Sequence, residues 1–410
     1  MSDEQLDTPE LREYRLRARE WLAANMTLLP RDAEGNVISP GASAERFAHA
    51  RTLQAQLYEG GYAGITFPIE YGGAGLDFEH ERVFLDEAVP YDTPIWDLGV
   101  SINICGRTIE RYGTDEQKAR HLPRILNGDE IWLQLLSEPS GGSDIAGLLT
   151  RADHDGDGYV LNGQKTWSTG ALHADFGLCP ARTRWDVPKH QGITMFVLDL
   201  RTPGIEIRAI RQIDGGAEFY EEFLTDVPVP ADAVIGAEND GWSLMRGLLS
   251  IEHEWVGRAG TARSFTQEVD VDDLVALARR RGLEDDEGVR RSIAQILERT
   301  AVQRALVSRL TKGMASGQLD DSYGNLAKLG SGPLAQLRTE TVLNLSGNTG
   351  IAWDPASGDE TVREFLRARR FTIASGTVEI QRNNLSERAL GLPREQSNER
   401  DRPFNEVRRG

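Results

Sequence analysis

Cysteine and histidine are scarce in this chain, which has two cysteines and seven histidines among 410 residues. The cysteines, Cys105 and Cys179, lack metal-type spacing, and no two histidines form an HxxxH or HExxH pattern. The sequence therefore argues against a structural or catalytic metal. It predicts that both cysteines are buried free thiols in a reducing compartment.

Basic side chains are too few to balance the acidic ones. Lys and Arg number 46 against 64 Asp and Glu, which gives a formal net charge of −18. This balance argues against a nucleic-acid backbone or an anionic membrane as the main partner. The sequence has no apolar run of about 18 residues, the length that spans a membrane. The acidic N-terminus MSDEQLDTPELREYR does not resemble a signal peptide, so we expect a cytoplasmic protein.

The hydrophobic pattern changes twice along the chain, whose length suffices for two or three domains. Helical periodicity predicts an N-terminal helical domain over residues 1–130. Short β-branched runs between turn signals predict a central β domain over residues 131–238. Helical periodicity returns in a C-terminal domain over residues 239–395, most clearly from Val289 to Leu310. Residues 396–410 are predicted to be a charged tail.

Three stretches hold the candidate chemistry. They are LLSEPSGGSDIAGLLTRA (Leu135–Ala152), LNGQKTWSTG (Leu161–Gly170) and SGTVEIQRNNLSERALGLP (Ser375–Pro393). In content and order they resemble the acyl-CoA dehydrogenase family, with its patterns T/S-E-P-x-x-G-S-D and G-T-x-x-I-Q-R-N. The resemblance implies an α+β fold with an N-terminal helical domain, a central barrel-like β domain and a C-terminal four-helix bundle.

The same resemblance implies a bound FAD, whose ring needs a flat cover and hydrogen bonds at its edge. By resemblance, the Trp167 indole lies on the flavin face away from substrate, and Thr169 bonds the N5 and O4 edge. Thr377 and Glu379 match positions at the ribityl and pyrophosphate groups. Further positions assigned to the cofactor, in or beside the strand and loop that also meet the pantetheine arm, are Gln134, Leu136, Ser137, Gly142, Ser143 and Ser168.

The implied reaction oxidises a CoA thioester to its α,β-unsaturated form. It needs a carboxylate at the α proton and hydrogen bonds to the thioester carbonyl. Many relatives carry the glutamate immediately before the C-terminal G-T, where this chain has Ser375. A serine hydroxyl is no base at neutral pH without an activating partner. We therefore expect only the Ser375 backbone N–H to act, by holding the thioester oxygen.

A second family pattern, as in isovaleryl-type enzymes, places the glutamate on the helix after the β domain. Aligning Gly241-Trp242 and the following LLSIEHEWVG puts Glu252 at the base position and His253 at the usual arginine. We predict Glu252 as the base, and Glu254 as the weaker candidate because it points to another helix face. His253 and Ser143 are predicted at the substrate. His253 is either a cation beside the base or a neutral hydrogen-bond partner.

The resemblance also implies partners, namely an acyl-CoA substrate, an electron-transfer flavoprotein, and further subunits in a homotetramer or heterotetramer. The expected setting is lipid metabolism, in fatty acid β-oxidation. The R-x-x-F-G segment of many relatives is missing, and their G-G-N-G loop reads SGNTG (Ser346–Gly350), so no residues are assigned to FAD contacts between subunits. Two alternatives stay open: a flavin-dependent oxygenase or oxidase on the same fold, and a non-catalytic partner subunit.

Overall fold

The computed structural model of the chain describes residues 7–30, 43–262, 271–352, 360–395 and 399–407. Within these residues, helices occupy the first part of the chain, strands the middle and helices the last part, which confirms the predicted α+β class. The helices are α1 (Pro9–Asn25), α2 (Ala44–Glu59), α3 (Phe78–Ala88), α4 (Arg107–Tyr112), α5 (Asp115–Asn127), α6 (Gly241–Ala262), α7 (Val271–Arg280), α8 (Glu287–Ala315), α9 (Asn325–Ser346), α10 (Asn348–Ile351), α11 (Glu360–Arg367) and α12 (Val378–Asn384).

Helix α1 illustrates why the N-terminal segments are helical. The Thr8 side chain accepts a hydrogen bond from the Leu11 backbone N–H, and Pro9 occupies the first turn, where its missing N–H costs nothing. Apolar side chains three or four residues apart form one buried face that packs against α3. These residues are Leu11, Tyr14, Ala18 and Leu22.

The middle of the chain forms a sheet. Its strands are β1 (Trp132–Gln134), β2 (Arg151–Asp155), β3 (Gly158–Thr169), β4 (Phe176–Arg182), β5 (Ile193–Asp199), β6 (Ile205–Ile210), β7 (Phe219–Pro230) and β8 (Val234–Ile235). Their order is β6-β7-β3-β2-β4-β5-β8, and β1 pairs with β4 in parallel. Cys179 on β4 and Cys105 are both buried free thiols, as predicted.

The long antiparallel pair of β3 and β7 has two irregularities, one between Leu161 and Gly163 and one between Thr166 and Ser168. The ladder pairs Thr166 with Glu221 and Ser168 with Tyr220. Trp167 is therefore an extra residue on β3, which makes a β-bulge. A bulge bends the strand and changes the direction in which the side chain of the extra residue points, here that of Trp167.

The chain divides into two compact units. The first contains the described residues of Met1–Ile210, Ala217–Ala262 and Asn398–Gly410, and the second contains those of Arg211–Gly216 and Arg263–Ser397. In the second unit, α7, α8 and α9 share a hydrophobic cluster. Its buried residues are Leu274, Ala278, Ile296 and Leu345. No helix in the described ranges is long and apolar enough to cross a membrane.

The C-terminal residues 399–407, part of the predicted charged tail, carry an aromatic anchor. The Phe404 side chain is buried, stacks on Trp185 with 5.7 Å between ring centroids, and lies 3.8 Å from the Arg182 guanidinium carbon. Its backbone N–H donates to the Val187 carbonyl at 2.9 Å. This segment therefore packs against the connection between β4 and β5.

We expect Phe404→Ala to lower the free energy of unfolding by about 3–5 kcal/mol, because a buried ring and its cation–π contact with Arg182 are both lost. Denaturant unfolding of the purified chain measures the change. Leu16→Ala is the control, since Leu16 on α1 is 55% exposed and its truncation should cost little. Equal stability of the Phe404→Ala variant and the unmodified chain would contradict the role of Phe404 as an anchor.

Candidate active site

Trp167 has an unusual backbone and an exposed ring. Its φ is +66°, a left-handed conformation that costs a non-glycine residue about 1–3 kcal/mol. The side chain is 58% exposed and meets Phe219 edge to face at 6.0 Å. Thr169, two residues on, is also exposed at the end of β3. The bulge therefore presents a large flat ring and a hydroxyl group outward from one strand.

Ser168, between these two residues, points into the protein instead. It is buried and its Oγ donates to Glu222 Oε2 at 3.0 Å. Glu222 on β7 is fully buried, and its Oε1 has no hydrogen-bond partner among the described residues. Burial raises the pKa of Glu222 to about 7, against the lowering effects of the Ser168 hydrogen bond and the Lys165 charge. Glu222 was not predicted as a site residue.

Lys165 and Glu138, which the sequence analysis also did not single out, form a buried ion pair. The Lys165 Nζ donates to Glu138 Oε1 and to the Pro180 carbonyl, each at 2.8 Å. Glu138 also accepts the backbone N–H groups of Leu149 and Thr150 at 2.5 and 3.0 Å. Burial alone would raise the pKa of Glu138, but the Lys165 charge and hydrogen bond hold it below its ordinary value. The glutamate of the S-E-P motif thus fixes the loop that follows it.

A signal for these residues was present in the strand pattern. Buried residues alternate along β7 as Tyr220, Glu222 and Leu224, and Lys165 also occupies a buried position on β3. Charged residues at inward strand positions need partners, because an unpaired buried charge is costly. Inward charges on neighbouring strands would therefore have pointed to a buried polar cluster.

The loop after β1 lies beside the bulge. The Thr166 N–H donates to the Ser137 carbonyl at 2.9 Å, which joins the loop to the residue before Trp167. Leu136 is buried, whereas Gly142 and Ser143 are exposed. A Cβ added at Gly142 would meet only the Ser137 Oγ, at 3.6 Å. Gly142 thus leaves open space above the loop.

Glu252 on α6 meets Gln134 at the end of β1. The Glu252 side chain is buried, with only 9% of the residue exposed, and the Gln134 Nε2 donates to its Oε2 at 3.2 Å. The Gln134 Oε1 is buried, and no donor in the described part of the chain reaches it. The structure thus brings the predicted base next to a residue that was predicted to bind the cofactor.

The neighbours of Glu252 on α6 differ from it. Glu254 is exposed, as expected for another face of the helix, and the His253 side chain lies outside the described part of the structure. Cys105 lies close enough for the Glu252 charge to act on it. Burial mainly, and this charge to a smaller degree, raise the pKa of the Cys105 thiol. Cys105 is therefore a neutral thiol at physiological pH.

The C-terminal motif lies in the second unit and forms a tight turn into α12. Ser375 is exposed with φ +54°, and Gly376 follows with φ +87°. Thr377 caps α12 by accepting from the Ile380 N–H at 3.3 Å, and Gln381 donates to the Ser375 carbonyl at 2.9 Å. Glu379 is an exposed residue in the first turn of α12. The backbone of Ser375 is thus held in the left-handed region.

Models of three acyl-CoA dehydrogenase domains match the chain. The N-terminal domain model matches residues 8–129, the middle domain model residues 134–226 and the C-terminal domain model residues 239–390. The chain belongs to the acyl-CoA dehydrogenase family. The resemblance drawn from the three motifs is therefore confirmed, and so is the prediction that the chain is an oxidoreductase of this family.

Individual members of the acyl-CoA dehydrogenase family match over most of the chain. It is 33% identical to acyl-CoA dehydrogenase IpdE1 of Mycobacterium tuberculosis over 386 residues, which cover 94% of this chain and 99% of that protein. The solved structure of the Tcur3481-Tcur3483 steroid ACAD matches with a TM-score of 0.76 and 26% identity, covering 95% of this chain and 99% of that one. The ChsE4-ChsE5 complex from Mycobacterium tuberculosis matches with a TM-score of 0.72 and 27% identity, with the same coverages. These structures share the predicted acyl-CoA dehydrogenase fold.

We expect Lys165→Met to lower the free energy of unfolding by about 3–5 kcal/mol, because it leaves the buried Glu138 carboxylate without its cation. Thermal or denaturant unfolding measures the loss. Lys189→Met is the matched control, since Lys189 pairs with Asp144 at 2.7 Å in a far more exposed place and should cost at most about 1 kcal/mol. If the two variants lost equal stability, the buried pair would not be the element that holds the loop.

Proposed function

We propose that the chain is an FAD-dependent dehydrogenase that converts an acyl-CoA thioester to its α,β-unsaturated form, with Glu252 as the base. The observation that carries this proposal is the buried Glu252 carboxylate beside Gln134, at the end of the strand that leads into the S-E-P loop. A general base needs a protected position with a defined hydrogen-bond partner. The exposed Glu254 lacks that burial.

Features of the first unit fit a bound flavin. The strained bulge turns the flat Trp167 ring outward, and the exposed Thr169 hydroxyl follows on the same strand. The adjoining loop is open at Gly141 and Gly142, where an added Cβ would meet nothing closer than 3.6 Å. Glycine at such positions lets a ligand approach the backbone closely. When bound, FAD would accept the hydride that leaves Cβ of the substrate.

Gln134 suits a base that must change its protonation state. Its amide N–H donates to the Glu252 carboxylate, the form of the side chain that removes the α proton. After that step Glu252 carries the proton and becomes a donor. Because an amide offers both a donor and an acceptor, a rotation would turn the buried Gln134 Oε1 toward the protonated acid. We therefore propose that Gln134 positions the base and does not determine FAD affinity, the role that the family resemblance implied for it.

For the remaining predicted residues, the proposal keeps the roles that the family resemblance implies. By that resemblance, Ser375 supplies a backbone N–H for the thioester oxygen, and Thr377 and Glu379 contact the cofactor. The held left-handed backbone at Ser375 supports this role, because a fixed N–H is a preorganised donor. His253 and Ser143 stay proposed substrate contacts.

The substrate we propose is a CoA thioester with a bulky, steroid-like acyl group. The similarity to a structure described as a steroid ACAD supports this class, at 26% identity and with a TM-score of 0.76. A screen of straight-chain, branched and steroid-derived CoA thioesters for bleaching of flavin absorbance would test it. Bleaching by straight-chain thioesters alone would contradict the proposed class.

We further propose that electrons leave to an electron-transfer flavoprotein and that the chain works in a tetramer, either of identical subunits or with a related chain. The similarity to the ChsE4-ChsE5 complex supports the mixed assembly, and it also favours a second candidate function, that of a non-catalytic partner subunit. Light scattering gives the assembly. A chain that binds FAD and turns over without another gene product would exclude the partner-subunit function.

The first functional prediction concerns the base. Glu252→Gln should keep FAD bound and slow flavin bleaching by about 10²–10⁴-fold, because the amide has no site for the α proton. The measurement is an anaerobic single turnover with a substrate that bleaches the unmodified protein. Glu254→Gln is the matched control and should bleach at the normal rate, since Glu254 is exposed on another helix face. Near-normal bleaching by Glu252→Gln would refute the assignment.

The second functional prediction concerns Gln134. Gln134→Leu should slow bleaching by roughly 10- to 100-fold, the effect expected for one lost hydrogen bond to a charged group. Its FAD affinity should stay unchanged, which equilibrium dialysis would establish. Weaker FAD binding with a normal bleaching rate would instead assign Gln134 to the cofactor.

A further inference from the structure

Beneath Trp167, the buried face of β3 and β7 and the adjoining loop after β1 hold two acidic groups, Glu138 and Glu222, and one basic group, Lys165. Glu222 lies directly opposite Lys165 in the strand ladder, and both side chains are fully buried. The Lys165 ammonium nevertheless donates to Glu138, so this one cation already has a carboxylate partner. Glu222 is bonded to Ser168 through Oε2, while its Oε1 has no partner among the described residues.

This arrangement favours a neutral Glu222. A second buried carboxylate charge would share one ammonium, and an ionised Oε1 would lack a donor, which is costly in a protein interior. Accordingly, burial raises the pKa of Glu222 to about 7. Glu222 is thus about half ionised near neutral pH, directly under the bulge.

We propose that Ser168 and Glu222 form a positioning pair for the Trp167 bulge, and that β3 binds FAD tightly only while Glu222 is protonated. The inference rests on the proposed FAD site. Ser168 lies between Trp167 and Thr169, the two residues turned outward, so its inward hydrogen bond holds the backbone of both.

Protonation changes what the pair can do. A carboxylate only accepts, so Ser168 must donate to it, and the second carboxylate oxygen stays unsatisfied. A protonated Glu222 can donate as well, which allows either group to be the donor and leaves no buried charge. Above neutral pH the uncompensated charge favours any movement of β3 that admits water or a cation. The strained left-handed conformation of Trp167 depends on surrounding contacts, and such movement would release it.

Other ionisable groups near Glu222 influence its ionisation. Among them, the Lys165 charge favours ionisation and the Glu221 charge opposes it. The ionisable groups on the neighbouring elements are Lys165 on β3, Glu138 in the loop after β1, Cys179 on β4, Glu206 and Arg208 on β6, and Glu221 on β7.

The experiment is equilibrium dialysis of the full chain, freed of flavin, against FAD from about pH 6 to about pH 8.5. If only the protonated form binds tightly, the Kd for FAD should rise above neutrality by up to about tenfold per pH unit. Glu222→Gln should bind FAD with the low Kd of the acidic form at every pH, since a neutral amide both donates and accepts. This loss of pH dependence is a result that a purely structural role would not produce.

Three further variants distinguish the effect of the Ser168–Glu222 pair from that of neighbouring groups. Glu221→Gln is the matched control, because Glu221 is the next residue on β7 and bonds Gln164 on the other face of the strand. It should keep the slope of the unmodified chain, with the rise in Kd shifted toward lower pH, because the Glu221 charge that opposes ionisation of Glu222 is removed. Ser168→Ala should raise the Kd for FAD at about pH 6 by roughly fivefold or more, in line with the loss of one buried hydrogen bond. Ser168→Thr should restore binding because it keeps the hydroxyl.

Each remaining outcome is decisive. A Kd for FAD that stays constant with pH in the unmodified chain, or an unchanged slope in Glu222→Gln, would overturn the inference and leave the proposed FAD site intact. If Glu222→Gln fails to fold, Ser168→Ala decides, and unchanged FAD affinity and slope in that variant would overturn the pair. Absence of FAD binding at every pH by a folded, fully assembled protein would overturn the proposed function itself, and the inference with it.

Discussion

The buried ion pair between Lys165 and Glu138 is the constraint on which the candidate site depends. Because neither charge can be left alone in the interior, β3 and the S-E-P loop must adopt their positions together. Glu138 also accepts two backbone N–H groups further along the loop, at Leu149 and Thr150. One carboxylate therefore links the strand that bears Trp167 to both ends of the loop, and the site is built around that link.

The strained backbone at Trp167 is tolerated because several contacts fix the residues on both sides of it. The ladder with β7 resumes at Ser168, the Thr166 N–H is bonded to Ser137, and Ser168 is bonded to Glu222. These contacts hold the residues on both sides of the bulge, so the left-handed conformation is the remaining way to connect them. Because these contacts fix the backbone at the bulge, they set the direction in which the exposed ring leaves the strand, which suits it to cover a flat ligand.

The sequence predicted the features that depend on local pattern and motif. The helical, β and helical order and the family follow from periodicity and motif alignment. The partners of the site residues were not predicted, because they depend on strand register and on long-range packing. Gln134 meets Glu252 across 118 residues of sequence, and the position of Glu222 opposite Lys165 requires the register of β3 and β7. The burial of Phe404 was not predicted, because the residues around it are mostly charged and indicated a charged tail.

The docking of residues 399–407 has a consequence for biosynthesis. The first unit combines residues from both ends of the chain, and the second unit is encoded between them. A ribosome therefore makes the C-terminal helices before it supplies Phe404, and at about 5–20 residues per second that delay is on the order of ten seconds. During this time the Arg182 and Trp185 side chains lack the Phe404 ring that packs against them in the folded unit. The nascent first unit is accordingly incomplete until residues 399–407 have been synthesised.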